Sequence, residues 1–284
     1  MYNQEITRKH RAAFVLLLDR SMSMQQIVRF GHMVATMSEV VAYTANTLIT
    51  EFIDRCRRSD GIRDYYDVAV LGYCNHRVEN LLSEDGFISI KKLADRMPRI
   101  TTVAFESELD DGSRLLTNHR QHRWVEPLAE GNTPMYEALL HARNLVEEWC
   151  EQEQNQESFP PIVINITDGE PTDCTDNDLL DVCTLIKRTA TANGNTLLIN
   201  IHICSNNNLQ STIFPMPEEL TRASDKVRLL ADCSSTMPQA FDNAIHELKG
   251  LGAMPPYIGL GYNATVVELL SMINIGSRSI TQIE

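Results

Sequence analysis

The 284-residue sequence lacks an excess of positive charge: 25 Lys and Arg stand against 38 Asp and Glu, for a formal net charge of −13. That balance argues against a nucleic-acid backbone or an anionic membrane surface as the main partner. No apolar run is long enough to cross a bilayer. Met1-Tyr2-Asn3-Gln4-Glu5 offers no basic segment ahead of an apolar signal core. Paired cysteines are missing as well. Cys56, Cys74, Cys150, Cys174, Cys183, Cys204 and Cys233 are odd in number, scattered, and free of any C-x-x-C spacing. Reduced thiols in a cytoplasmic protein are therefore expected, and a zinc site is not. There is no internal repeat, and no G-x-S-x-G elbow of the kind a serine hydrolase uses.

What is present is an ordinary globular composition, 43% hydrophobic, in a chain ample for a core. The most informative stretch is Phe14-Val15-Leu16-Leu17-Leu18-Asp19-Arg20-Ser21-Met22-Ser23. Its apolar run has no polar face, which suits a strand buried on both sides in a parallel sheet. In such sheets ligands bind outside the carboxyl ends of the strands, where Asp19 falls. Asp19, Ser21 and Ser23 alternate, so in an extended chain their oxygens point the same way, and such oxygens suit a hard cation. On this stretch alone, a polar turn after a strand is the favoured reading.

Two further stretches shift the balance: Gly131-Asn132-Thr133-Pro134-Met135-Tyr136-Glu137-Ala138-Leu139, and Ile162-Val163-Ile164-Asn165-Ile166-Thr167-Asp168-Gly169-Glu170. Together the three motifs resemble the metal-ion-dependent adhesion site of the von Willebrand factor A (VWA) domain family: D-x-S-x-S, then a threonine, then the aspartate of a T-D-G turn. The matching positions are Asp19, Ser21, Ser23, Thr133 and Asp168, and the likeness runs from about Arg11 to Lys249. T-P-M-x-x-A-L after the glycine is similar to bacterial, intracellular members.

The resemblance implies a divalent cation, Mg2+ or in its place Ca2+ or Mn2+, held by those five side chains. A carboxylate from a protein partner would fill the open coordination position. With only Asp19 and Asp168 as carboxylates, the loaded site carries no net negative charge and still attracts an anion. The implied partner is a protein supplying an acidic residue, in a kinase and phosphatase system or beside an AAA+ ATPase, with no nucleic acid and no membrane. Arg20 and Met22 depart from the family pattern, Met22 standing where many members have glycine. Glu170 and Asp173 read as solvated residues at the rim. The competing class is a metal-dependent phosphohydrolase or phosphotransferase using Asp19 as nucleophile. Such enzymes generally want a second aspartate two residues on, where this chain has Ser21.

The rest of the pattern predicts an α/β fold with a doubly wound, mostly parallel six-stranded sheet and one short antiparallel edge strand. Buried strands are expected at Phe14–Leu18, Tyr65–Cys74, Pro161–Thr167, Thr196–Cys204 and Lys226–Cys233, with the edge strand at Arg77–Leu82. Helices are expected from about His32 to Arg57, over Phe87–Met97, from Thr133 with that residue as N-cap, from Thr175 or Asp176, and around Phe241–Leu248. The segment Pro98–Arg123 shows no clean period and reads as a long loop with a basic run, His119–Arg123. Gly250 to Pro256 reads as a break. It divides a domain at residues 1–250 from a C-terminal extension at 251–284, expected to dock on that domain, with a helix over Ala264–Ile273.

Overall fold

The computed structural model describes residues 1–30, 33–83, 86–108, 114–204, 211–221, 223–250, 252–264, 268 and 271–272. The central strand β1 (Ala12–Asp19) is buried at all of its positions. Such a strand must be flanked and covered on both faces. It pairs in parallel with β9 (Ile162–Thr167) on one side and with β4 (Tyr66–Cys74) on the other. Beyond β9 lie β10 (Leu197–His202) and then β12 (Leu260–Tyr262), both parallel. Short antiparallel strands finish the edges: β5 (Arg77–Asn80) and β6 (Ile88–Ser89) against β4, and β11 (Thr212–Ile213) against β12. Among the described residues the sheet therefore has eight strands, not six, and three antiparallel members, not one.

Helices cover both faces. One face, carrying Phe14, Leu16, Ile164 and Ile199, shares a core with α1 (Met37–Cys56) and α6 (Asp242–Lys249). The other, carrying Val15, Leu17, Val163 and Leu198, packs with α3 (Met135–Glu151), α4 (Asp176–Arg188) and α5 (Asp225–Cys233). Local chemistry sets the starts. Thr36 and Glu39 form a reciprocal capping box on α1, and Thr175 and Asp178 do the same on α4.

Four expectations are corrected. The helix expected from His32 begins only at Met37, because β2 (Ile27–Phe30) and β3 (Met33–Thr36) form a hairpin first. Val34, expected on the helix, belongs to β3; Gly31 and His32 lie outside the described residues. The helix expected over Phe87–Met97 shrinks to α2 (Ile90–Ala94) behind β6. The expected loop Pro98–Arg123 is largely a second hairpin, β7 (Arg99–Glu108) and β8 (Arg114–Arg123), whose connection lies outside the described residues. It joins β2 and β3 in an accessory sheet of order β8-β7-β3-β2. Its alternation escapes an apolar count because Thr, Asn, Gln, His and Arg carry it. Finally, Lys226–Cys233 is helical. Ser224 caps it by accepting the Val227 N–H, and Val227, Leu230 and Ala231 fall on one buried face at helical spacing.

The strand position next to β10 is held instead by β12, from the stretch beyond the Gly250–Pro256 break. Of the helix expected over Ala264–Ile273, only Ala264, Glu268, Ser271 and Met272 are described, and Met272 is fully buried in the α1-side core.

Leu17 and Ile164 sit in opposite cores of adjacent strands, each with no exposed surface. Truncating either to alanine is expected to cost about 2–5 kcal/mol. Chemical unfolding of L17A and I164A checks this, and unchanged midpoints for both would contradict the buried-strand assignment.

Candidate functional site

β1 and β9 run in parallel with Leu18 opposite Ile166, so Asp19 and Thr167–Asp168 emerge at the same end of the sheet. Asp19 has no exposed surface. Its Oδ1 accepts the Ser21 N–H at 2.9 Å and its Oδ2 accepts the Thr167 hydroxyl at 2.7 Å. The Ser21 and Ser23 hydroxyls are hydrogen-bonded at 3.0 Å. The loop carrying Thr133 is tied to this turn twice: Met22 donates to the Gly131 carbonyl at 2.9 Å, and Glu130 donates to the Arg20 carbonyl at 2.9 Å. Thr133 is joined to the turn that follows the third motif by two bonds. Its N–H donates to the Thr172 hydroxyl at 3.0 Å, and its carbonyl accepts the Thr172 N–H at 3.0 Å. All three motifs are thus pairwise connected.

Two glycines permit the close approach. Gly131 has φ +63, and a Cβ there would lie 2.7 Å from Asn75 Cα. Gly169 has φ +105, and a Cβ there would lie 2.9 Å from the His202 ring. Both the backbone conformation and the lack of space favour glycine.

Burial pushes the Asp19 carboxyl up to about 6. Hydrogen bonds from Ser21 and Thr167 pull it back down, and the neighbouring Asp168 carboxylate raises it. A buried carboxylate with a second one near it and hydroxyl oxygens beside it is a donor set that suits a hard cation. Among the described residues, no group of three or more His, Cys, Asp and Glu is arranged to hold a metal ion. The five expected ligands include only two such residues, so a loaded site would rest on hydroxyl oxygens.

Thr133 does not cap α3. The N-cap position is Pro134 and has no side-chain cap. The cap comes from far along the chain: the Asp173 carboxylate accepts the Tyr136 N–H at 3.2 Å and the Glu137 N–H at 3.0 Å. Asp173 was expected only to be solvated, and its role is visible only once the 168–173 turn is folded onto α3. Glu170 pairs with Lys226 at 2.7 Å. Arg20 folds back over β4, where a Cβ on Gly72 would meet its Cδ at 2.7 Å, and faces Glu79 at 3.8 Å. Met22 is half-exposed.

Three contributors escaped the sequence reading. Thr167 grips Asp19, and its signal was the polar residue ending an apolar strand just before the T-D-G aspartate. His202 ends β10 opposite Thr167; it is buried with Nδ1 unpartnered, and burial lowers its pKa. Asn165, opposite Asn200, belongs to a buried polar row behind the site. The Tyr73 hydroxyl donates to Asn165 Oδ1 at 2.9 Å, Asn165 Nδ2 to Asn200 Oδ1 at 3.0 Å, and Asn200 Nδ2 to Ser234 Oγ at 3.0 Å. The available signal was the pair of I-N-I triplets in otherwise apolar strands.

The two threonine and aspartate roles are separable. D173A is expected to cost about 0.5–2 kcal/mol of stability through the lost cap, and T133A less than D173A. Equilibrium denaturation of the two variants checks this. An equal or larger loss in T133A would return the capping role to Thr133.

No protein-family model matches the chain, and no curated protein matches its sequence. Among solved structures it is similar to the SpRpn10 VWA domain at 12% identity and a TM-score of 0.41, over 70% of this chain and 77% of that one. It is also similar to a von Willebrand factor type A protein from Catenulispora acidiphila, at 13% identity and a TM-score of 0.46. That alignment takes in 95% of this chain but only 43% of the other. A third likeness is to the vWF domain of the type V pili tip protein Mfa5 from Porphyromonas gingivalis, at 9% identity and a TM-score of 0.45 over 97% of both chains. Likenesses at these values leave the function to be read from the geometry of the site itself.

Proposed function

We propose that this chain is a non-catalytic, metal-dependent protein-interaction module of the von Willebrand factor A type. Asp19, Ser21, Ser23, Thr133 and Asp168 would hold one divalent cation, Mg2+ or in its place Ca2+ or Mn2+. A carboxylate from a partner protein would complete its coordination. The observation that carries this reading is the mutual bonding of the three motifs, which gathers these oxygen-bearing residues at one end of the sheet around a buried carboxylate. A cation there would supply the positive charge that burial otherwise denies Asp19.

The engagement of both Asp19 oxygens and its full burial disfavour the alternative, in which Asp19 attacks a phosphorus centre. A reducing compartment such as the cytoplasm is supported by the odd and scattered set of seven cysteines. Among the described residues, no helix is long and apolar enough to cross a membrane. The partner's class, a kinase and phosphatase system or an AAA+ ATPase, is carried only by the motif resemblance.

Titration calorimetry with Mg2+ tests the site. Binding to the wild type is expected, and a loss of at least tenfold in D19N, which keeps the shape of the buried side chain. Metal and partner must raise each other's affinity by the same factor, typically about 5–150-fold. Partner capture that survives both chelation and D19N would overturn the reading. So would Mg2+-dependent turnover of generic phosphate esters that is lost in D19N, which would restore the enzyme.

A further inference from the structure

The end of the sheet opposite the metal motifs holds a second concavity. Arg11 immediately precedes β1 and Asp67 is the second residue of β4, so both stand where strands begin, whereas Asp19 and Asp168 stand where strands end. A cavity of about 290 Å³ opens there between two walls. The sheet wall carries Arg11, Asp67, Phe87, Ser89 and Lys92. The helix wall is made by the last turns of α3 and the turn after it, with Leu145, Glu148, Trp149, Gln152 and Asn155.

Hydrogen bonds fix the floor. Asp67 is 9% exposed, and its two oxygens are held from both walls. Its Oδ1 accepts from the Arg11 guanidinium at 2.8 Å, and its Oδ2 accepts the Trp149 Nε1–H at 3.0 Å. Arg11 also faces Asp64 at 3.7 Å. These carboxylates offset the Arg11 charge, so what Arg11 brings to the cavity is a held guanidinium with N–H donors to spare. Asn155 is 3% exposed. Its Nδ2 donates to the Trp149 carbonyl at 2.9 Å and to Gln152 Oε1 at 3.2 Å, which uses both of its N–H groups. Its Oδ1 accepts no hydrogen bond among the described residues, and a nearly buried acceptor is costly to leave unmet.

Charge divides between the walls. Lys92 on the sheet wall and Glu148 on the helix wall are exposed, and neither is in an ion pair among the described residues. The helix wall is also the C-terminal end of α3, where the carbonyl dipoles favour a cation. One wall therefore offers N–H donors and a cation. The other offers an unmet carbonyl, a carboxylate and the negative end of a helix. Neither a simple anion nor a simple cation satisfies both walls, whereas a small molecule carrying both charges does.

We propose that this cavity binds a free α-amino acid with an apolar side chain. Its carboxylate would meet Arg11 and Lys92, its ammonium would meet Asn155 Oδ1 and Glu148, and its side chain would lie on Phe87 and Leu145. Leu145 also lines a neighbouring cavity of about 310 Å³, together with Leu71 and Gly86, which leaves room for a long side chain. None of these residues belongs to the metal site, so binding here is independent of the metal.

The probe is L-phenylalanine, titrated calorimetrically into the full chain beside 3-phenylpropionate, which lacks the ammonium, and 2-phenylethylamine, which lacks the carboxylate. L-phenylalanine is expected to bind at least tenfold more tightly than either analogue. Its affinity should be the same in chelator, in Mg2+ and in D19N. K92E and E148K, changed at exposed positions, are each expected to weaken it at least fivefold while melting close to wild type. A variant that had unfolded would be replaced by K92Q or E148Q, for which at least a twofold loss is expected. Three results would overturn the proposal. The first is no binding of L-phenylalanine at millimolar concentration. The second is an analogue that binds as tightly as L-phenylalanine, which would leave a crevice that reads one charge or none. The third is binding abolished by chelation or D19N but untouched by K92E and E148K, which would put the amino-acid carboxylate on the metal and leave the metal reading standing.

Discussion

A strand buried on both faces that ends in a carboxylate is the constraint on which this structure depends. β1 cannot be exposed on either side, so one helical layer must cover Phe14, Leu16 and Leu18, and another must cover Ala13, Val15 and Leu17. The aromatic contact between Phe14 and Phe52, with ring centroids 4.6 Å apart, pins α1 to the first face. At the end of the strand the problem changes from packing to charge. Asp19 is removed from water, and an isolated buried carboxylate is costly unless donors meet it. The donors come from two directions, the Ser21 backbone within its own turn and the Thr167 hydroxyl from β9. The same bonds that make Asp19 tolerable therefore fix the turn after β1 against the end of β9.

The polar row behind the site obeys the same rule. Tyr73, Asn165, Asn200 and Ser234 are buried in a layer that is otherwise apolar, and each hydrogen-bond donor is passed to the next acceptor. The row ends where the Ser234 hydroxyl donates to the Leu230 carbonyl of α5 at 2.6 Å. An amide has one acceptor end and one donor end, so such a row has a single direction, and a substitution within it strands a neighbour. It ties β4, β9 and β10 to α5 in one register, just beneath the strand ends that carry the site.

How far the sequence made this legible follows from where the information sits. β1, β4, β9 and β10 were readable because burial on both faces leaves a run that is apolar at all but one or two positions. The helices α1, α3, α4 and α6 were readable from apolar spacing, although β3 took the first residues assigned to α1. The hairpin of β7 and β8 was not readable, since a strand whose inward contacts are made by residues such as Gln121 carries no apolar alternation. Gln121 donates instead to the Tyr43 carbonyl and the Thr47 hydroxyl of α1, each at 2.8 Å. Lys226–Cys233 was misread because a short amphipathic helix and a short strand have similar apolar content, and the deciding residue, Ser224, lies outside the run. For the site, the five motif residues were named from a pattern, but their supports were not. Thr167 and Asp173 act through partners that are distant in sequence, and no spacing rule reaches them.

Asp173 shows what those supports do. Its carboxylate holds the first two free N–H groups of α3 that it can reach, while Thr172, one residue earlier, is bonded to Thr133 on both sides. Met135, the first residue of α3, is buried and its sulfur lies 3.7 Å from Asn165 Nδ2 in the polar row. The 168–173 turn, the start of α3 and the row beneath them therefore form one bonded unit. The end of this turn is anchored by four hydrogen bonds, two from the first turn of α3 to Asp173 and two between Thr172 and Thr133 just ahead of that helix. The loop carrying Thr133 and the turn carrying Asp168 are thus tied to each other and to the start of a helix that packs on the sheet, which is how segments distant in sequence come to one end of it.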